Sequence, residues 1–268
     1  MSACRTFVIA EAAACHDGEF LNALRLVDLA EHIGADAVKF QWTSSPERMV
    51  ARRRAPEYLS AYEALAFPEK WLSELADYVA EHCSIELMYT VYLPEDVAAI
   101  KPHVRQFKVA SFEAISGDLL ETIGTSPKIV STGMQDHDTW ARYREVLHPG
   151  DAILHCVSAY PCPDDQANLR AVRSLWQFGE AVRVGVSDHT RHPWAGALAV
   201  AAGAEVVEFH VRLDDTLRTN ADYRVSRSPA EARKYVANIR LAERMLGDGI
   251  KRVMPCEEPM LRYLVTPS

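Results

Sequence analysis

Val182-Arg183-Val184-Gly185-Val186-Ser187-Asp188-His189-Thr190, followed after a Trp/Ala/Leu-rich segment by Ala204-Glu205-Val206-Val207-Glu208-Phe209-His210-Val211-Arg212-Leu213-Asp214, is the passage on which the reading of this chain turns. Two β-branched runs each end on a histidine, and a small-residue helical pattern from Pro193 to Gly203 separates them. This is a strand–helix–strand unit, and parallel strands joined by a helix point their C-terminal ends the same way. The two imidazoles therefore emerge side by side at one mouth of a sheet or barrel, with carboxylates at Asp188 and Glu208 nearby. Either histidine alone would read as a satisfied core residue. As a pair, they suit a divalent metal better than any other single use.

Working outward, strand-like and helix-like segments alternate along the chain. The strand candidates are 7–12, 37–41, 85–91, 106–111, 128–132, 152–158, 183–188 and 206–211, and the helical patterns are 21–33, 69–82, 94–100, 117–123, 136–147, 168–178, 194–202 and 229–246. Pro229 suits the first turn of the last helix and Gly247 its end. Eight such pairs predict an α/β chain folded as one (β/α)8 TIM barrel, a single domain over residues 1–268, a length typical of that fold. A doubly wound open sheet is the rival, but it more often stops at five or six strands, and no Gly-x-Gly-x-x-Gly follows the first strand. The longest excursion runs from Trp42 to Pro68; loops of that length in a compact domain usually cap a site. It contains Arg52-Arg53-Arg54, for which a solvated surface run is the simplest account.

A net charge of −8 argues against a nucleic-acid partner. No apolar run approaches a membrane span, and the N-terminal residues lack the pattern of a signal peptide. The six cysteines (4, 15, 83, 156, 162 and 256) include no Cys-x-x-Cys and read as free thiols in a reducing cytoplasm.

Polar residues recur where the strands end. They are Glu11; Lys39 and Gln41; Thr90; Lys108, Ser111 and Glu113; Ser131-Thr132-Gly133; His155 and Ser158, with Tyr160 just beyond; Ser187 and His189; Glu208 and His210. Barrel enzymes carry their chemistry at this face, and a ring of polar groups on successive strands is hard to obtain by chance.

These stretches resemble the sialic acid synthase family. The similarity lies in Ala10-Glu11 with His16-Asp17-Gly18, in residues 34–41 ending Lys39-Phe40-Gln41, in Phe107-Lys108-Val109-Ala110-Ser111-Phe112-Glu113 and in Ser131-Thr132-Gly133-Met134. It continues through His155-Cys156-Val157-Ser158-Ala159-Tyr160-Pro161 with Asn168-Leu169, Gly185-Val186-Ser187-Asp188-His189-Thr190 and Glu208-Phe209-His210. Asp222 and Ser226 fall where the family has an Asp-His-x-x-Ser segment. The resemblance implies condensation of phosphoenolpyruvate with an aldehyde, a sugar or sugar-like acceptor, to a 2-keto-3-deoxy acid and phosphate by C–O cleavage. It also implies a homodimer. Several positions depart from the family: Phe209 stands in place of a Lys, Tyr223 in place of a His, Cys15 in place of an Asn, and Arg191-His192 where a Gly is common. The sequence read here stops at Ser268, before the small antifreeze-like domain that usually follows. The metal and phosphate elements are thus retained while acceptor-side elements differ, which points to a different aldehyde.

Within that expectation Lys39 and Lys108 are the cations for phosphoenolpyruvate, with Thr90, Ser111, Ser131, Asn168 and Ser187 as neutral donors. A buried lysine on a barrel strand is costly without an anion, although either lysine could simply pair with Glu11 or Glu113. His189 and His210 would hold Mn2+ or Mg2+ with open positions for the aldehyde oxygen. Glu113 or Glu11 would position the water that attacks carbon 2. Tyr160 with Pro161 is expected on the phosphate side of the pocket, and Asp222 at the acceptor's hydroxyls or in a surface turn. His155 could hydrogen-bond a neighbouring strand, and His16 could touch substrate or cap its turn. Two other readings stay open: a metal-dependent pyruvate-type aldolase or lyase on the same fold, and a non-catalytic paralogue that binds a metabolite.

Overall fold

The structure, a computed structural model, describes residues 5–136 and 138–265. Eight parallel strands close into a barrel in sequential order: β1 (Phe7–Ala13), β2 (Ala37–Gln41), β3 (Glu86–Val91), β4 (Phe107–Val109), β5 (Lys128–Ser131), β6 (Ala152–Cys156), β7 (Arg183–Asp188) and β8 (Val206–His210), with β8 hydrogen-bonded back to β1. The helices are α1 (Phe20–His32), α2 (Pro46–Arg53), α3 (Leu59–Glu63), α4 (Lys70–His82), α5 (Val97–Ile100), α6 (Gly117–Ile123), α7 (Tyr143–Val146), α8 (Val172–Leu175), α9 (Ala195–Ala201) and α10 (Pro229–Leu246). This is the expected (β/α)8 barrel.

Alternation along each strand divides the core in two. Val8, Ala10, Val38, Phe40, Tyr89, Val109, Val130, Ile153, Val184, Val186, Val207 and Phe209 face outward and pack under the helices. Ile9, Ala37, Met88, Ile129, Ala152, Leu154 and Val206 face inward and fill the barrel floor. Gly185 belongs to this floor: a Cβ there would meet the Val206 carbonyl oxygen at 2.1 Å and the Leu154 side chain at 2.8 Å. The next inward positions above the floor are polar, so one period-2 pattern builds both a dry plug and the site resting on it.

Some elements differ from the expected ones. β4 and β6 end two residues early, because the Ala110 and Val157 carbonyls turn back to accept the N–H groups of Glu113 and Ala159. The helical patterns at 136–147 and 168–178 are short α-turns (α7 and α8) joined to 3-10 turns. The excursion after β2 contains α2 and α3, which the apolar periodicity does not reveal. Among the residues of α2 only Pro46 and Met49 are buried, while Ser45 caps its N-terminus and Arg54 ends it in the left-handed region at φ 53°. Trp42 closes the base of the excursion by donating to the Phe67 carbonyl at 3.0 Å. The last helix, α10, begins at Pro229, as read from the sequence, and a Ser228/Glu231 capping box precedes it. Cysteines 15, 83, 156, 162 and 256 are free thiols, whereas Cys4 lies outside the described residues. No helix among the described residues is long and apolar enough to cross a membrane.

Candidate active site

Glu11, Lys39, Gln41, Thr90, Lys108, Ala110, Ser111, Ser131, Cys156, Tyr160, Ser187, His189, Glu208 and His210 line one cavity at the C-terminal mouth of the barrel. Strand register explains the gathering: Glu11 pairs across to Lys39 on one side and to His210 on the other, Thr90 to Lys108, and Ser187 to Glu208.

One half of the cavity is an ionic lattice. The Lys39 ammonium donates to Glu11 and, at 2.6 Å, to Thr90 Oγ1, and it lies 3.7 Å from Glu208 Oε2. The Lys108 ammonium donates to Ser131 Oγ at 2.7 Å and to the Val109 carbonyl at 3.2 Å, and lies 3.7 Å from Glu208 Oε1. Ser187 donates to Glu208 Oε1 at 2.8 Å. Both lysines and both carboxylates are almost fully buried. Burial pushes the Lys39 ammonium down to about 7, with Glu208 pulling it up and Lys108 pushing it further down. Burial alone would raise the Glu208 carboxyl, but Lys108, Lys39 and Ser187 hold it at about 2. Two cations whose counter-charges sit in the same pocket form a site that an incoming dianion can rearrange rather than an inert core.

The other half is the histidine pair. The His189 and His210 rings have centroids 5.4 Å apart, and Tyr160 packs on them at 4.1 and 6.0 Å. His189 Nδ1 lies 2.7 Å from the Val157 carbonyl, which requires that this nitrogen carry the proton and leaves Nε2 with its lone pair. His210 is buried, and its Nδ1 has no hydrogen-bond partner, as is true of Glu208 Oε2. Burial, then His189 and Lys39, push the His210 imidazolium well below the usual range, so the ring is neutral, as a metal ligand must be. Asp222 Oδ1 lies 3.8 Å from His210 Nδ1. No group of three or more His, Cys, Asp or Glu side chains among the described residues could hold a metal. His189 and His210 are the two imidazoles this mouth would offer a cation.

Several expected placements change. Asp188 is not beside His189 in the cavity. It faces outward, where it accepts from Arg227 at 2.9 Å and Tyr235 at 2.6 Å behind the barrel wall. Phe209 is likewise outside, its ring tilted against Tyr235 at 4.5 Å, so the Lys-to-Phe departure belongs to the helix layer. Alternation forces both, since each adjoins an inward residue. Tyr160 stands against the two histidine rings. Asn168 lines an adjoining pocket with Thr132, His155 and Ser158, separated from the main cavity by Cys156, which lines both. Glu113 lies outside the main cavity, where Arg53 holds it through two contacts of 2.8 Å. The arginine run is therefore not simply solvated: Arg53 is 17% exposed in an ion pair with Glu113, while Arg52 pairs with Asp118. His16 caps its turn, accepting the Gly18 N–H at 3.0 Å among Phe67 and Trp71. His155 reaches the Ala167 carbonyl at 2.9 Å, a loop rather than a neighbouring strand.

Glu208 was read among the polar strand ends but given no role, and it is the group on which both lysines converge. Its signal was present, because it sits two residues before His210 and period-2 alternation puts both on the inner face. Cys156 follows from the same rule on β6. Arg53 had no such signal.

Comparison with known proteins supplies relatives over almost the whole chain. A model described as the NeuB family matches residues 26–251. An uncharacterized protein of Methanocaldococcus jannaschii is 36% identical, covering 96% of this chain and 76% of its own length. The N,N'-diacetyllegionaminic acid synthase of Legionella pneumophila is 34% identical, covering 98% and 79%. Among solved structures, the N-acetylneuraminic acid synthetase of Leptospira borgpetersenii, determined with citrate, superimposes with a TM-score of 0.88 at 29% identity, over 97% of this chain and 92% of that one.

Proposed function

The chain belongs to the NeuB family, and on that footing we propose that it condenses phosphoenolpyruvate with a sugar or sugar-like aldehyde to give a 2-keto-3-deoxy acid and phosphate. The observation that supports this reading best is the two-sided cavity. Lys39 and Lys108, ringed by Thr90, Ser131 and Ser187, face one part of it, and His189 and His210 face another. A small dianion with a carboxylate and a phosphate suits the first, and a carbonyl oxygen suits the second.

A divalent cation, Mn2+ or Mg2+, held by His189 and His210 would supply Lewis-acid polarisation of the aldehyde carbonyl. The residues do the rest. Lys39 and Lys108 hold the phosphate and carboxylate so that carbon 3 of the enol faces the aldehyde carbon, and the new C–C bond forms between them. Positive charge then develops at carbon 2, within reach of the carboxylates of Glu11 and Glu208, which stabilise it. Water adds at carbon 2 as Glu11 takes its proton and returns it to the alkoxide left by the opened aldehyde C=O bond. The tetrahedral centre then breaks its C–O bond to phosphate, its hydroxyl proton leaving with the phosphate as the ketone forms, and Lys39 and Lys108 neutralise the leaving group. Gln41, whose amide lies 3.4 Å from Glu11 Oε2, orients that carboxylate.

The test is incubation with Mn2+, phosphoenolpyruvate and a panel of sugar aldehydes, following phosphate release. Phosphoenolpyruvate labelled with 18O at the bridging position should deliver the label to phosphate. Turnover with pyruvate instead, or label retained in the organic product, would refute the proposal. The family resemblance also supports a homodimeric cytoplasmic enzyme, which light scattering and cell fractionation would check.

A further inference from the structure

Arg227 is a buried cation that lies outside the cavity, behind the ends of β7 and β8. Its backbone closes the end of β8. The Arg227 N–H donates to the His210 carbonyl at 2.9 Å, and its own carbonyl accepts the Arg212 N–H at 3.0 Å, bridging Val211. Its guanidinium crosses to the end of β7. There Nη2 donates to Asp188 Oδ2 at 2.9 Å, to the Thr190 carbonyl at 2.9 Å and to the His192 carbonyl at 3.3 Å. Asp188 Oδ1 in turn accepts the Thr190 N–H at 2.8 Å, so the turn that carries His189 is gripped on both sides of that residue. The guanidinium carbon lies 4.0 Å from the Tyr235 ring centroid and 5.5 Å from that of Phe209, and this stacking aims Nη2 at the turn.

We propose that Arg227 is a positioning residue for the histidine pair: its backbone fixes the strand end that bears His210, its guanidinium fixes the turn that bears His189, and it thereby sets the spacing of the two imidazoles. The proposal rests on the reading of that pair as the holder of a divalent cation. A buried ion pair contributes little net stability once its desolvation is counted. Two ligands carried on separate strands, by contrast, must be held in register from behind before a cation arrives, and such supporting contacts govern affinity. Arg227 is the one residue whose described hydrogen bonds reach both the His210 carbonyl and the two carbonyls that follow His189. Tyr235 shares the Asp188 carboxylate, donating to Oδ2 at 2.6 Å, and is the natural control.

The experiment titrates the full chain with Mn2+ alone and reads free and bound metal by electron paramagnetic resonance. Arg227→Met should weaken Mn2+ binding about 10- to 100-fold. The Kd for phosphoenolpyruvate, measured without metal by calorimetry, should move by less than about twofold, because the lysine half of the cavity does not touch this turn. Arg227→Lys keeps a cation for Asp188, and with it the fold, but gives up the plane that stacks on Tyr235. It should weaken Mn2+ by at least about threefold, and it decides the matter where Arg227→Met does not fold. Tyr235→Phe removes a hydrogen bond from the same carboxylate and leaves the grip on the turn intact, so its Mn2+ affinity should stay within about twofold of the wild type. Wild-type Mn2+ affinity in folded Arg227→Met or Arg227→Lys, or an equal loss in Tyr235→Phe and Arg227→Met, would overturn the inference and leave the metal reading standing. A wild-type chain that binds no Mn2+ would overturn both together.

Discussion

Replacing Lys39 by methionine separates a group kept for function from one kept for stability. In the folded chain Lys39 is fully buried, and its pKa falls from 10.5 to about 7. That shift corresponds to roughly 5 kcal/mol of cost for holding the charge. Deleting the charge removes this cost but deprives Glu11 of its cation, leaving it the Ala13 N–H at 2.7 Å and the weaker Gln41 contact. Stranding one partner of a buried pair costs about 3–5 kcal/mol. The opposed contributions are of equal size, so the Tm of the ligand-free variant should stay within about 5 °C of the wild type. Phosphoenolpyruvate loses a charge-assisted contact of about 1.5–3 kcal/mol, and its Kd should weaken roughly 10- to 150-fold. The proton count gives a second readout. Because the folded pKa lies below the unfolded one, the unfolded chain binds more protons between about pH 7 and 10.5. Wild-type stability therefore gains up to about 1.4 kcal/mol per pH unit from this group as pH rises through that window, and Lys39→Met lacks the gain. Binding an anion restores the proton, so phosphoenolpyruvate binding at pH 8 should take up about 0.9 proton in the wild type and none in the variant. Calorimetry in two buffers of different ionisation enthalpy measures this uptake. A Tm drop of more than about 10 °C with unchanged Kd would mark Lys39 as a structural ion-pair partner and refute the argument.

Three further outcomes are expected. His189→Ala and His210→Ala should each weaken Mn2+ binding, read by electron paramagnetic resonance, more than about 100-fold while circular dichroism stays native; unchanged binding would remove the metal assignment. At the opposite end of the barrel the Lys128 ammonium, fully buried, pairs with Asp151 at 2.8 Å and donates to the Gly124 carbonyl. Lys128→Met should therefore destabilise by about 3–5 kcal/mol in urea, with kcat of the folded protein unchanged. Gly185→Ala, which drives a methyl into the Val206 carbonyl and Leu154, should cost about 3 kcal/mol or more by the same denaturation assay, and a neutral result would mean the barrel floor relaxes readily.

Much of this protein was legible before folding was considered. Alternating strand and helix patterns specify a parallel barrel because period 2 and period 3.6 are local properties of the chain, and both β7 and α10 appear with the bounds read from the sequence. The same alternation predicts which strand residues share the inner face, so Lys39, Lys108, Ser131, Ser187, Glu208 and His210 are recognisable as neighbours. It also suffices to place Asp188 and Phe209 on the outer face, since each adjoins an inward residue. What tertiary structure alone decided concerns contacts between distant loops. Arg53 looks like one of three surface arginines until α2 folds over the mouth and brings it to Glu113, sixty residues away. The partition of the mouth into a main cavity and an adjoining pocket depends on how the loop after β6 folds back, and no periodicity encodes that. Strand ends are set by hydrogen bonds that repeat every second residue, whereas loop closure is set by single long-range pairs. That difference is why the floor and the lysine–histidine ring can be read from the sequence, and why the loop-borne wall around them cannot.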